Sequence, residues 1–274
     1  MPRPSRRVRI LGAVFAALCV LFFAEIAFGH DTWLLGSASR VAVGATVTLS
    51  LTSGDAFPND DFVIDPSRVS RAVARQGTHI VPLKHPVPGT LSLRYRWRPK
   101  YAGVATIGVE LRPKTLTLAP EKIEEYLTEI DATPAVRATW DSVRATRGWV
   151  ESYSKHTTTY LRVGDAEDSS WRQPLGFGLE IVPERDPTTL RTGDTLVVRV
   201  LRAGGPVRDF AVGAIREGRD KARFTRTDGS GRARITFDDD GRWLLNGTHL
   251  RRSMRRNVVW ESDFVTMTLH VAPR

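Results

Sequence analysis

The chain has 274 residues, with 40 Lys and Arg against 30 Asp and Glu, for a net charge of +10. Its 41% hydrophobic and 26% charged residues are the composition of a folded globular protein, which excludes a disordered chain. The single cysteine excludes an internal disulfide, and scattered positive charge without a nucleic-acid motif argues against nucleic-acid binding.

The first segment reads as an export signal. Arg3, Arg6, Arg7 and Arg9 precede an uncharged apolar run over residues 10–23, and Ala27 and Gly29 supply the small side chains that signal peptidase needs. The run is about 14 residues long, short of the roughly 20 that cross a bilayer, so cleavage after Gly29 is expected in preference to a membrane anchor. Cys19 lies within this run. The exported, periplasmic chain would then begin at His30 and hold no thiol, leaving histidine nitrogen and carboxylate oxygen as its metal donors.

From residue 31 to about 112 the pattern is β. Short apolar or alternating runs over 41–51, 80–83, 91–97 and 105–111 are separated by Pro58-Asn59-Asp60, Pro88-Gly89 and Arg98-Pro99-Lys100. Tyr101 is spaced like a corner tyrosine of an immunoglobulin-like sheet. Pro120 and Glu121 mark a helix start, and Ile123, Tyr126, Leu127 and Ile130 recur at helical spacing. A second helix is predicted over about 135–153, with Val136, Trp140, Val143, Trp149 and Val150 on its apolar side and Gly148 weakening its end. Residues 157–163 are a strand, 165–178 a polar linker, and 179–183, 195–201, 211–215, 241–245 and 265–271 further strands. Residues 224–233 read as strand, tight turn and strand around Asp228-Gly229-Ser230-Gly231. The expected fold is mainly β: two immunoglobulin-like β-sandwich units with an inserted helical hairpin, after a cleaved signal peptide. The units are a signal over 1–29, an N-terminal sandwich over 30–117, the hairpin and its strand over 118–164, a linker over 165–178 and a C-terminal sandwich over 179–274.

Several segments carry a wider resemblance through their order and spacing. They are His30-Asp31-Thr32-Trp33-Leu34, Glu125-Tyr126-Leu127, Glu151-Ser152-Tyr153-Ser154-Lys155, Leu179-Glu180-Ile181-Val182-Pro183, Gly241-Arg242-Trp243 with His249, and Trp260-Glu261-Ser262. Together they resemble an exported domain-of-unknown-function family often labelled as a periplasmic component of nickel or cobalt uptake. The resemblance implies a periplasmic β-rich protein that carries or presents a divalent transition metal to a membrane importer or outer-membrane receptor. His156 and the three threonines after it depart from the family pattern.

A chain that begins at His30 offers its α-amine and its imidazole to one ion. The amine, with an ordinary pKa of about 7.7–8.0, is partly deprotonated at neutral pH. Nickel and cobalt are favoured by the resemblance, and copper and zinc also accept imidazole. His249, after the turn at Asn246-Gly247, is the expected second ligand and Glu261 the third. Asp263 shares the face of Glu261 in a strand, and Asp263 and Asp31 are expected to orient ligands. The alternatives are ion pairs of Glu261 and Asp263 with nearby arginines and a solvent-exposed His249. His79, His85, His156 and His270 are weaker candidates. No HExxH, GxSxG or phosphate-binding glycine loop is present, so no enzyme is expected. Two other readings stand beside the metal carrier: a non-catalytic adhesion or scaffold module without metal, and a histidine-brace copper redox protein.

Overall fold

The computed structural model describes residues 30–274; the export signal expected over 1–29 lies outside the described residues. The first half holds β1 (Asp31–Gly36), β2 (Arg40–Val41), β3 (Val47–Gly54), β4 (Phe62–Val63), β5 (Val69–Gln76), β6 (His79–Pro82), β7 (Val87–Pro88), β8 (Leu93–Trp97) and β9 (Gly103–Leu118). Helices α1 (Pro120–Glu129) and α2 (Pro134–Val143) lead to β10 (Trp149–Val163). Then come β11 (Leu179–Pro183), β12 (Thr195–Arg202), β13 (Gly205–Pro206), β14 (Ala211–Arg216), β15 (Arg223–Arg226), β16 (Arg232–Thr236), β17 (Gly241–Arg252) and β18 (Trp260–Val271).

The fold is mainly β, with two sandwich units that share one long sheet. That sheet runs β15-β14-β17-β18-β10-β9-β5-β6, with β2 attached to β10. Its central pair is parallel, from Glu151 opposite Trp260 to Thr159 opposite Thr268, whereas its neighbours β9–β10 and β17–β18 are antiparallel. Alternate residues face opposite sides of a strand. On one side Ala105, Ile107, Val109 and Leu161 pack against Leu49, Leu51, Leu93 and Tyr95 of the five-stranded sheet β1-β3-β8-β7 with β4. On the other side Tyr160, Val265, Met267 and Leu269 pack against Ile181, Leu196, Val198 and Val200 of the four-stranded sheet formed by β11, β12, β13 and β16. The two smaller sheets therefore cover opposite faces of the shared one.

Helix α1 starts at Pro120, which needs no N–H donor there, and buries Ile123, Tyr126 and Leu127. In α2 the Thr133 hydroxyl accepts the N–H of Val136 at 3.3 Å. Both helices close over Trp149, Leu250 and Trp260. The predicted second helix is shorter than expected: it stops at Val143, and Trp149, Val150 and Tyr153 belong to β10. The ladder to β18 stacks Trp149 on Trp260 at 5.0 Å, with Trp140 and Tyr126 meeting it edge-on at 5.1 and 5.7 Å. A helix continued past Gly148 would forgo that ladder. Below the rings Glu151, wholly buried, accepts from Tyr126 Oη at 3.0 Å, from Trp149 Nε1 at 2.8 Å and from Ser262 Oγ. Burial raises its pKa against the pull of these three hydrogen bonds.

Three other expectations change. The linker over 165–178 is packed structure: Trp171, Leu175 and Phe177 are buried, and buried Arg75 donates to the carbonyls of Ser170 (2.8 Å), Pro174 (3.0 Å) and Gln173. Residues 224–233 do not form a hairpin, because β15 pairs with β14 in the shared sheet and β16 with β12 in the four-stranded one. The turn crosses between sheets, pinned by Asp228 Oδ1 accepting from the N–H groups of Ser230 (2.8 Å) and Arg232 (3.0 Å). Tyr101 is half exposed and stacks on His79 at 4.4 Å, so it is no buried corner residue.

Replacing Trp149 by Ala removes the ring on which three others lean. The expected cost is about 3–5 kcal/mol of unfolding free energy, measured by urea denaturation; an unchanged midpoint would contradict this packing.

Candidate functional site

Strand β1 lies flat on the shared sheet. Thr266 Oγ1 donates to the Thr32 carbonyl at 2.5 Å and Thr268 Oγ1 to that of Leu34 at 2.6 Å. This fixes His30 at the strand's start. Lys155 Nζ, rising from the same face, donates to the His30 carbonyl at 2.5 Å. The buried His30 imidazole bonds through Nδ1 to the exposed carboxylate of Asp55, and its ring lies 5.0 Å from that of Phe62. Asp31 Oδ2 accepts from Asn246 Nδ2 at 2.6 Å. Glu129, ending α1, feels the charges of both Asp31 and Asp55. A cavity of about 520 Å³ opens beside His30, with Lys155, Tyr153, Phe264 and Arg68 in its wall.

The charges in this corner do not balance. Burial lifts the Asp31 carboxyl to about 6; Asn246 and Lys155 oppose the rise and Asp55 adds to it. Desolvation, then repulsion from Asp31 and Asp55, raises Glu129, although the residue as a whole is exposed. Burial lowers the Lys155 ammonium to about 8, with Arg68 adding to the fall and Asp31, Glu129 and Asp55 opposing it. Three carboxylates, Asp31, Asp55 and Glu129, thus act on Lys155 and His30, with Arg68 as a second cation beside Lys155.

A second cluster occupies the other face. His156 Nδ1 lies 3.2 Å from Glu110 Oε1, and its Nε2 lies 3.5 Å from Asp263 Oδ1. Asp263 also accepts from Arg202 Nε (3.2 Å) and Arg251 Nη1 (2.7 Å). Glu261 accepts from Arg251 Nη2 (3.0 Å) and Ser253 Oγ (3.1 Å) and pairs with Arg255 Nε (3.2 Å). Burial works to raise Asp263, but His156 and Arg251 outweigh it and hold the carboxyl far below its ordinary range. Burial likewise works to lower His156, and the two carboxylates outweigh it, so its pKa is raised. His249 is lowered by burial, with Arg202 and Arg251 reinforcing, and its Nδ1 is buried without a hydrogen-bond partner.

The structure separates the residues singled out from sequence. His249 pairs with Asp263 and Arg251 with Glu261 across β17–β18, so His249, Glu261 and Asp263 share one face. Asn246, three residues before His249, points to the opposite face and holds Asp31 there. The central sheet stands between His30 with Asp31 and the other three. Glu261 and Asp263 share a face, as strand alternation requires, and arginines occupy both. Among the described residues no group of three His, Cys, Asp or Glu side chains is arranged to hold a metal ion. Sequence reasoning missed Asp55, Glu129 and Lys155. Lys155 alone carried a signal, as a cation on the inward side of a strand between Tyr153 and Thr157.

The family described as Domain of unknown function (DUF4198) matches residues 27–251. No curated protein matches the chain. Among solved structures, the D0-D1 domain of Intimin aligns with 88% of this chain and 98% of its own length, at 10% identity and a TM-score of 0.21. The Yersinia pseudotuberculosis adhesin InvE aligns over 87% and 58%, at 11% identity and 0.23. The Escherichia coli adhesin FdeC aligns over 90% and 65%, at 11% identity and 0.25. The chain thus spans less than two thirds of the two adhesin chains.

Because the folded pKa of His156 is raised, its contribution to stability is complete below its ordinary pKa of about 6.5 and is lost as pH rises through the folded value. Urea midpoints of the native protein should therefore fall above neutral pH more steeply than those of His156→Gln. Parallel curves for the two proteins would contradict a charged His156 between Glu110 and Asp263.

Proposed function

The chain belongs to the family described as Domain of unknown function (DUF4198), and on that premise we propose that it is an exported, non-catalytic protein that binds a divalent transition metal at His30 and presents it to a membrane importer or outer-membrane receptor. The observation that carries this reading is the His30 imidazole set against the Asp55 carboxylate in a corner where Asp31 and Glu129 add negative charge. The reading includes export to the periplasm and cleavage after Gly29, which frees the α-amine of His30. Amine and imidazole then close a chelate ring on one residue, and Asp55 supplies an oxygen donor. This nitrogen–oxygen set suits nickel, cobalt, copper and zinc; nickel and cobalt are preferred because the sequence segments resemble a family labelled for their uptake.

Lys155 opposes an incoming cation, but it sheds its proton near pH 8 and Asp31 sheds its own near pH 6. Metal arrival therefore displaces protons, and affinity should rise between these two values. Calorimetric titration of protein lacking residues 1–29 with Ni²⁺, Co²⁺, Cu²⁺ and Zn²⁺ tests the reading. His30→Ala is expected to weaken binding by about tenfold or more, and His249→Ala to leave it unchanged; the tenfold loss corresponds to about 1.4 kcal/mol. No metal bound tighter than about millimolar, or equal affinity at the two pH values, would overturn it.

A further inference from the structure

The cavity beside His30 has a chemistry of its own. Its volume of about 520 Å³ lies inside the range of about 300–1,000 Å³ typical of small-molecule sites. Phe62, Leu111, Leu116 and Phe264 give it apolar walls, and three cations, Arg68, Lys114 and Lys155, also line it. The acid in its wall is Asp65, whose carboxylate already accepts the N–H of Ser67 at 2.8 Å. Arg68 lies over the Tyr153 ring at 5.4 Å and donates through Nε to the Arg112 carbonyl at 3.2 Å. Its Nη2 is buried with no hydrogen-bond partner. Lys155 lies over the same tyrosine ring at 5.8 Å and over Phe264 at 5.7 Å. An ammonium has three N–H donors, and one of these goes to the His30 carbonyl.

Arg68 and Lys155 line the same cavity beside apolar walls, a combination that suits an anion carrying an apolar body. We propose that this cavity binds a small organic carboxylate, with its charged group on the side lined by Arg68 and Lys155 and its apolar body against Phe62, Leu111 and Phe264. An inorganic anion would leave the apolar walls unused. The site needs neither a free terminal amine nor a metal, so it stands or falls separately from the metal reading.

Octanoate is the probe, with octanol as its uncharged analogue and acetate as the headgroup alone, titrated calorimetrically into the purified protein in the presence of EDTA. Octanoate should bind at least about tenfold tighter than either analogue, the size of effect expected of a charge-assisted hydrogen bond. Arg68→Gln should abolish that preference. If Arg68→Gln does not fold, the native preference and its loss in Lys155→Gln, the other cation that faces the charged group, carry the test. Equal binding of octanoate and octanol, no binding of octanoate, or a folded Arg68→Gln protein that keeps the preference would overturn the proposal.

Discussion

The parallel ladder between β10 and β18 is the constraint that the rest of the molecule obeys. It joins strands that would otherwise be the edges of two separate sandwiches, and so produces one sheet with a core on each face. It also fixes parity. The β17–β18 register runs unbroken from Gly241 opposite Val271 to Arg252 opposite Trp260, with no bulge to turn a side chain over. Each polar residue on these strands is thereby committed to one side. Lys155 goes to the side of β1, and His156, one residue on, goes to the side of the four-stranded sheet.

The two polar clusters that result are chemically unlike. Around Asp263 the charges are matched: two arginines and a histidine surround one carboxylate, which stays ionised far below its ordinary range. Such a network has little left to offer a ligand. Around His30 the charges are unmatched. Asp31 titrates near 6, Lys155 near 8, and Arg68 keeps a buried nitrogen without an acceptor. Perturbed titration beside a cavity is the more usual mark of a working site, which is why both proposals draw on this corner.

Local patterning made much of the fold legible. The alternation of Leu93, Tyr95 and Trp97 with Arg94 and Arg96 gives a half-buried strand, and Pro120 gives the start of α1. What failed was non-local. Val150 falls seven residues after Val143 in the sequence, a spacing a helix also allows, and only pairing with distant strands decides for a strand there. Residues 165–178 are polar enough to pass for a linker, yet Arg75, drawn from β5, satisfies their carbonyls. The candidate site was half legible: His30 stands where cleavage of the expected export signal would start the chain. Asp55 had no spacing rule to announce it, and His249 could not be placed on a face before the register of β17 was known.

A shared sheet also leaves the molecule without a seam. Domains that recombine in evolution, or survive expression as fragments, separate where few contacts cross. A cut anywhere between β10 and β11 would strip β18 from β10 and expose nine residues of paired backbone, Glu151 to Thr159, as a bare edge. Such an edge is a template for strand exchange between copies. The two halves of this chain are therefore bound to be inherited, folded and degraded together, although each has a hydrophobic core of its own.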